Sequence, residues 1–321
     1  MKPLYLIDFS NFAYKFKAVH TYAKQEVNGV EVDLSVLVGF IRSLRNNMFN
    51  DIMIVLDGCP MDSLRILPGY KGQRNKNTSD TIGVSKLETI QFLSKIGEII
   101  DKNVYVCCAP CQEADQAISS IVHLITNNEP ARAHLLNITN RKLVSEDPWL
   151  KYLDADLTQS DFNWKDYDSV VIGTTDSDMK ALTIFPGVCI DTSTSGKSIK
   201  SQDTAKAVSC VNPHAIPIYK AIYGDSSDNV LGYNIGKEFI KIIDETIKSI
   251  DAQNAFIQAV RLKTLEENPK WKPFTKLYED FGQKFFKNLE VVKLKYYSNP
   301  VLLSYLNYDI NDTIKRFKLR V

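Results

Sequence analysis

Short apolar runs that end at a carboxylate recur along this sequence and constrain its fold more than any other feature. Leu4–Ile7, Ile52–Leu56 and Val170–Gly173 consist almost entirely of apolar residues, as do strands buried on both faces of a sheet. The carboxylates that close these runs belong to Asp8, Asp57 and Asp176. In an open α/β sheet the carboxyl ends of parallel strands share one edge, where ligands bind. The pattern therefore predicts an acidic site at that edge.

A fourth apolar run, Val104–Cys107, leads to two acids, Glu113 and Asp115, which are separated by a single residue. Asp176 and Asp178 have the same spacing. In a loop or a first helical turn, such spacing allows both carboxylates to face one point. We expect both pairs to converge with the acids at the other strand ends.

The segments between these runs have helical periodicity, so the sequence predicts a mostly parallel sheet with right-handed crossovers, flanked by helices. Asp33–Phe49 shows one apolar helical face, and Ser85 with Glu88 has the spacing of a capping box. Val188–Ile190 is predicted to be a fifth strand. We therefore predict a Rossmann-like α/β domain over residues 1–205.

The rest of the chain does not show this alternation of apolar runs and helical segments. Residues 127–168 are polar and hold isolated Trp residues, which predicts an insertion of short helices and loops. Residues 206–321 are predicted to form a smaller all-α domain, whose last helical pattern covers Val301–Phe317. Residues 231–321 carry 16 Lys and Arg against 11 Asp and Glu, a surplus that fits a polyanionic partner.

Composition narrows the class of protein further. The chain has 321 residues, 44% of them hydrophobic, but no apolar run approaches the roughly 20 residues that span a bilayer. Its first residues lack the apolar length and cleavage site of a signal peptide, so a cytoplasmic location is expected. The formal net charge is +1, yet setting aside the eight acids assigned below leaves 30 acids against 39 basic residues. The remaining surface is therefore modestly basic.

Carboxylates gathered at one sheet edge cannot all stay ionised unaided, because each like pair at 4 Å costs about 4 kcal/mol at an effective dielectric near 20. They must take up protons or bind cations. Oxygen ligands without neighbouring His or Cys favour Mg²⁺ or Mn²⁺, and pairs of such ions serve in-line phosphoryl displacement. Lys71 and Arg74, in a loop with Pro and Gly, would supply positive charge to a scissile phosphate.

Other interpretations of single motifs are weaker. Cys108 and Cys111 have the spacing of a redox pair but lie in mid-domain, so core and loop thiols are the preferred interpretation. The tripeptide at 196–198 resembles the end of a P-loop, but the position that requires glycine is Asp191. A single Asp after a strand is most often a helix or turn cap. The metal-site interpretation therefore depends on the recurrence of the acids.

Six motifs follow one another in a characteristic order. They are Ile-Asp-Phe-Ser at 7–10, Leu-Asp-Gly at 56–58, Tyr-Lys-Gly-Gln-Arg at 70–74, Glu-Ala-Asp at 113–115, Thr-Asp-Ser-Asp at 175–178 and Gly-Asp-Ser-Ser-Asp-Asn at 224–229. Together they resemble the 5′→3′ exonuclease/flap endonuclease family, which includes bacterial polymerase-associated and bacteriophage 5′ nucleases. The resemblance covers most of the chain apart from the insertion.

The resemblance implies a PIN-like α/β domain followed by a helix-three-turn-helix domain that grips the backbone of duplex DNA. It implies Mg²⁺-dependent hydrolysis of DNA phosphodiesters near 5′ ends, flaps or nicks, with water as the nucleophile. The expected protein is a monomer that acts in replication or repair, with a replication protein as a partner. A phage-encoded protein in the host cytoplasm would fit.

The resemblance also implies roles for individual residues. One Mg²⁺ position, open to Mn²⁺ as well, would be held by Asp8, Asp57, Glu113 and Asp115. The second would be held by Asp176, Asp178, Asp225 and Asp228. The catalytic residues would be Lys71 and Arg74, with Tyr70 as a platform for base stacking. The duplex backbone, beside a K⁺ ion, would contact Gly232, Gly236 and Lys237. Residues 75–97 would form an arch over the site.

Two departures from the family pattern leave alternatives open. Gln116 stands where the family continues with another Asp, and the turn after Asn229 is one residue short. One alternative is removal of RNA primers, with an RNA/DNA hybrid as the substrate. The other is a junction-binding protein with weakened catalysis.

Overall fold

The computed structural model describes residues 2–72, 84–126, 147–148, 150, 162–193, 212–294 and 300–321. Arg74, the first part of the predicted arch and most of the predicted insertion lie outside these ranges. No helix among the described residues is long and apolar enough to cross a membrane.

A six-stranded sheet forms the centre of the N-terminal part. Its strands in chain order are β1 (Pro3–Asp8), β4 (Asp51–Leu56), β5 (Asn103–Cys108), β6 (Ser169–Gly173), β7 (Val188–Asp191) and β10 (Val301–Leu303). Their spatial order is β10-β5-β4-β1-β6-β7, and every pairing is parallel except that of β10 with β5. The five strands predicted from the sequence, and the mostly parallel sheet, are confirmed.

The apolar strands lie between two hydrophobic layers. All six residues of β4 are buried, and side chains along it alternate between the two cores, Ile52 and Ile54 on one face and Met53 and Val55 on the other. Burial on both faces explains why these strands are continuous apolar runs. Because β1 lies between β4 and β6, the ends of three acid-bearing strands are adjacent.

Helices cover both faces of the sheet. They are α1 (Phe9–Val19), α2 (Ser35–Asn46), α3 (Met61–Ile66), α4 (Lys86–Lys95), α5 (Gly97–Ile100) and α6 (Ala114–Thr126). The predicted cap of α4 is confirmed, since the amide of Glu88 donates to Oγ of Ser85 at 3.1 Å. A hairpin of β2 (Lys24–Val27) and β3 (Val30–Asp33) was not predicted.

A second hydrophobic core lies within the helical part. Its helices are α7 (Ile216–Tyr223), α8 (Ile240–Thr246), α9 (Ile250–Leu262) and α10 (Gln283–Val292). A short 3₁₀ helix, Lys272–Tyr278, precedes α10, and a small hairpin of β8 (Gly224–Asp225) and β9 (Val230–Leu231) follows α7. Phe256, Phe274 and Phe285 are fully buried at its centre.

The C-terminal segment departs from the sequence prediction. Val301–Phe317 was predicted to be helical, but Val301–Leu303 forms β10 and adds an antiparallel edge strand to the sheet. Only Ile310–Arg316 forms a helix, α11, and Ile310 and Phe317 join the core of the N-terminal part. The apolar residues at 301–303 suit either period, so the sequence pattern alone misassigned them.

Candidate active site

Acidic side chains gather at the carboxyl edge of the sheet, as the sequence predicted. Asp8 ends β1, Asp57 follows β4, Glu113 and Asp115 lie at the start of α6, and Asp176 follows β6. The strand order places these positions after four neighbouring strands, β5, β4, β1 and β6. The topology therefore joins residues that are up to 168 positions apart in sequence.

Asp57 is held between two elements. Its Oδ1 accepts a hydrogen bond of 3.0 Å from the amide of Ala114, and its Oδ2 accepts one from Oγ of Ser10. Asp8 caps α1 through a 3.1 Å bond from the amide of Asn11. The carboxylate of Asp57 thus joins the start of α1 to the start of α6.

Lys71 and Tyr70 connect this acidic group to the hairpin that carries Asp228. The ammonium of Lys71 contacts Glu113 and lies 3.9 Å from Oδ1 of Asp228. The hydroxyl of Tyr70 donates to Oε2 of Glu113 at 2.8 Å and lies 3.1 Å from Oδ2 of Asp228. The main chain adds a 2.9 Å bond from the amide of Lys71 to the carbonyl of Asp228.

The structure contradicts the prediction that Tyr70 is a platform for base stacking. Tyr70 is only 5% exposed, and its ring packs against Val230 and Val291. A base cannot stack on a face that is covered by side chains, and the polar contacts of this tyrosine are made by its hydroxyl. Arg74, the second predicted cation, lies outside the described residues.

A second acidic group surrounds Lys220, a residue of α7. Its ammonium donates to Oδ2 of Asp225 at 2.5 Å and also contacts Oδ2 of Asp178. Oδ1 of Asp178 is buried and finds no hydrogen-bond partner among the residues that the structure describes. Asp225 also accepts from the amide of Ser227 at 2.9 Å. An unpaired buried carboxylate oxygen that lies beside further acids is a suitable ligand for a cation.

The electrostatics show that the acids act on one another. Burial and the charge of Asp57 raise the pKa of Asp8 to about 7, with Asp176 contributing in the same direction. Burial and Glu113 raise the pKa of Asp115 well above its usual value, and Asp57 and Asp176 add to this. The carboxylates that follow β1, β4 and β6 and those at the start of α6 are therefore close enough to affect the pKa values of Asp8 and Asp115.

In the second group, the two acids that contact Lys220 have pKa values that are shifted in opposite directions. Burial raises the pKa of Asp178 to about 6, against the opposing charge of Lys220. Burial also disfavours ionised Asp225, but the hydrogen bonds from Lys220 and Ser227 outweigh it and lower the pKa of that carboxyl. Although burial alone would lower it, the two carboxylates raise the pKa of the Lys220 ammonium.

The donor set suits a hard divalent cation in chemistry, since it consists of carboxylates, of which Asp178 has an unpaired oxygen and Asp8, Asp115 and Asp178 have raised pKa values. Its arrangement is not ready-made. No group of three or more His, Cys, Asp or Glu side chains within the described ranges is placed to hold a metal ion as the side chains stand. Lys71 and Lys220 contact oxygens that an ion would need, so both ammoniums would have to move for the acids to become ligands.

Two residues at the site were missed from the sequence. Lys220 is one. The excess of acids in the motifs requires a counter-charge, and this was the signal that pointed to a buried lysine. The other is Asp147, a fully buried residue of the predicted insertion. Its carboxylate accepts from the amides of Cys59 at 3.0 Å, Cys111 at 2.6 Å and Leu150 at 3.2 Å. It ties the loop after Asp57 to the loop before Glu113, and nothing in the sequence pattern indicated this.

The predicted DNA-binding positions lie on a turn between β9 and α8. Gly232 approaches the main chain of Tyr223 so closely that a Cβ would lie 2.2 Å from its carbonyl oxygen, so only glycine fits. Gly236 precedes a short 3₁₀ helix that begins at Lys237, an exposed residue. The turn follows the hairpin that carries Asp225 and Asp228.

Neither protein-family profiles nor curated protein sequences give a match to this chain. Solved structures do. The T5 D15 protein crystallised with metal ions superposes with a TM-score of 0.53 at 19% identity, over 92% of this chain and 91% of that one. T5 5′-exonuclease with bound zinc gives 0.52 at 20% identity, over 92% and 91%.

A third structure is the bacteriophage T5 D15 flap endonuclease in a pseudo-enzyme–product complex with DNA and metal ions. It gives a TM-score of 0.51 at 20% identity, over 92% of this chain and 90% of that one. Likeness at this level of identity establishes the fold and confirms the PIN-like α/β prediction. The chain has the fold of the T5 5′-exonuclease and flap endonuclease structures.

Proposed function

We propose that this protein is a structure-specific 5′ nuclease of the exonuclease/flap endonuclease family, which hydrolyses DNA phosphodiesters near 5′ ends, flaps or nicks. The observation that carries the proposal is the convergence of acids from four neighbouring strand ends with those of the β8–β9 hairpin. The order of the six motifs and the shared fold of the T5 structures support the same conclusion.

The acids would hold two divalent cations, Mg²⁺ or Mn²⁺, which would supply Lewis acidity and lower the pKa of water in the site. Asp8, Asp57, Glu113 and Asp115 belong to one position in this proposal. The other is assigned to Asp176, Asp178, Asp225 and Asp228. Asp178 and Asp225 already share one cation, the ammonium of Lys220. Two carboxylates that bind one positive charge together are suited to binding a metal ion in its place.

Lys71 is the proposed electrostatic partner of the scissile phosphate. Its ammonium lies between Glu113 and Asp228, so its positive charge is held at the acidic edge and would turn to the phosphate when metal ions take up the carboxylate oxygens. A positive group held in place before reaction stabilises charge that develops in the transition state. Tyr70 orients the two carboxylates that Lys71 contacts.

The proposal is tested with an end-labelled 5′-flap duplex, a nicked duplex and single-stranded DNA, each with Mg²⁺ and with EDTA. We expect Mg²⁺-dependent cleavage near the flap junction, and we expect Asp176→Asn to abolish cleavage while DNA binding remains measurable. Asp251→Asn, which changes an exposed acid on α9, is the matched control and should cleave normally. Wild-type rates in Asp176→Asn would contradict the assignment of that residue.

The same substrates separate the alternatives. Replacing the 5′ DNA strand by RNA of the same sequence tests primer removal, which predicts faster cleavage of the RNA strand. A Mn²⁺ titration tests the junction-binding alternative. Tight binding of flap DNA without product at any Mn²⁺ concentration would favour that alternative over a nuclease.

A further inference from the structure

The turn between β9 and α8 has its main-chain carbonyl groups occupied by side chains of the helical part. Asn288 Nδ2 donates to Leu231 at 2.9 Å, Lys284 Nζ to Gly232 at 2.6 Å, Lys276 Nζ to Asn234 at 3.0 Å and Tyr223 Oη to Gly236 at 3.0 Å. Four carbonyl oxygens in six residues therefore accept hydrogen bonds from protein donors. Two of those donors are ammonium groups.

The position of Lys284 is fixed by contacts at the start of α10. Its ammonium lies 4.8 Å above the centre of the Tyr233 ring, which adds a cation–π contact to the hydrogen bond at Gly232. The hydroxyl of Tyr233 donates to Asp280 at 3.1 Å and accepts from the amide of Phe285 at 2.7 Å. The amide of Lys284 donates to Asp280 at 3.0 Å. The lysine is thus held against the turn from both its main chain and its side chain.

A monovalent cation at this turn, as the family resemblance implies, does not fit these contacts. Such an ion binds by replacing its water shell with several carbonyl oxygens. At this turn the oxygens of Gly232 and Asn234 already face ammonium groups, which would repel a second cation at the same place. Asp280, whose carboxylate accepts from the amide of Lys284, is also engaged with Tyr233 and with the amide of Gly282.

We propose that Lys284 and Lys276 take the place of the K⁺ ion at this turn, so that duplex DNA binds through built-in positive charge and without a requirement for K⁺. The ammonium groups neutralise the carbonyl dipoles and leave the outer side of the turn positive toward a phosphate. This rests on the proposed function, since it takes the turn to be a duplex-binding element.

The first measurement is fluorescence anisotropy of a labelled blunt duplex in EDTA, at one ionic strength, in KCl and in tetramethylammonium chloride. We expect the wild-type Kd to agree within about twofold between the two salts. Lys284→Met should bind several-fold more weakly in tetramethylammonium and regain part of the loss in K⁺, which can then reach the exposed carbonyl of Gly232. Lys284→Arg keeps the charge, so its Kd for the duplex should be the same in both salts.

Lys287→Met is the matched control, because Lys287 is exposed on the same helix and its loss also removes one positive charge. It should weaken binding in both salts to the same degree. A wild-type Kd that rises tenfold when K⁺ is replaced would overturn the proposal, as would a Lys284→Met variant that behaves like Lys287→Met.

Thermal unfolding without DNA separates this proposal from the proposed function. The wild-type Tm should be the same in both salts, whereas that of Lys284→Met should be higher in K⁺ than in tetramethylammonium. Wild-type protein that fails to bind duplex in either salt would refute the proposed function, and the melting data would still decide the role of the lysine. Stabilisation of the wild type by K⁺ over tetramethylammonium would refute that role.

Discussion

The ammonium of Lys220 lies 2.5 Å from Oδ2 of Asp225 and contacts Asp178 as well, so one cation of α7 holds together acids from two distant parts of the chain. All three side chains are largely buried, with at most 20% of each exposed. Removing a single partner of such a group leaves uncompensated charge away from water. This arrangement leads directly to a measurable prediction.

Lys220→Met should lower the free energy of unfolding of metal-free protein by about 2–4 kcal/mol, because Asp178 and Asp225 lose their counter-charge. Mg²⁺ should restore more stability to this variant than to the wild type, since the ion then competes with no ammonium. Urea unfolding in EDTA and in Mg²⁺ measures both effects. Lys241→Met changes an 82% exposed lysine on α8 and should shift stability by less than about 0.5 kcal/mol. Equal losses in the two variants would contradict the role of Lys220.

Stability of the metal-free protein should depend on pH through Asp8. Its folded-state pKa, about 7, lies above the ordinary value of 3.8, so the folded protein binds a proton that the unfolded chain has released. The contribution of this carboxyl is therefore most favourable below about pH 4 and is lost as the pH rises through 7. Asp8→Asn, which mimics the protonated form, should stabilise the protein relative to wild type more at pH 8 than at pH 5, by about 2–3 kcal/mol. Urea unfolding in EDTA at the two pH values measures this, and an equal difference at both would refute it.

Tyr70→Phe distinguishes a positioning role from base stacking. The ring is buried and phenylalanine keeps its packing, so the Kd for flap DNA should change by less than about twofold. The loss of the hydroxyl removes hydrogen bonds to Glu113 and Asp228, so kcat should fall and stability should drop by about 1 kcal/mol. Single-turnover cleavage and anisotropy give the two quantities. A Kd that rises tenfold with kcat unchanged would restore the stacking interpretation.

Asp147 should act as a positioning residue, because its carboxylate binds the amides of two loops that flank the acidic group. Asp147→Ala leaves buried amides without an acceptor and should cost about 2–4 kcal/mol in unfolding free energy. It should also lower kcat with little effect on the KM for flap DNA. Asp147→Asn retains an acceptor oxygen and should recover part of both quantities. An Asp147→Ala variant with unchanged kcat would confine the residue to a stabilising role.

Short-range periodicity and local chemistry determine a large part of this fold. Buried runs such as Ile52–Leu56 are typical of interior strands, and an acid that follows such a parallel strand lies at the ligand-binding edge of the sheet. The cap formed by Ser85 is equally local, since it depends on residues three positions apart. These features follow from short-range patterns, which a sequence displays directly.

The tertiary structure decided what depends on contacts between distant segments. The antiparallel addition of Val301–Leu303 to the sheet, the buried position of Tyr70, the bridge made by Lys220 and the lysines on the turn carbonyls all join residues with no common spacing. A lysine or a tyrosine has the same local pattern whether it faces solvent or a carboxylate. Which it meets is set by the packing of whole elements, and for that physical reason the partners of these side chains emerge only from the folded chain.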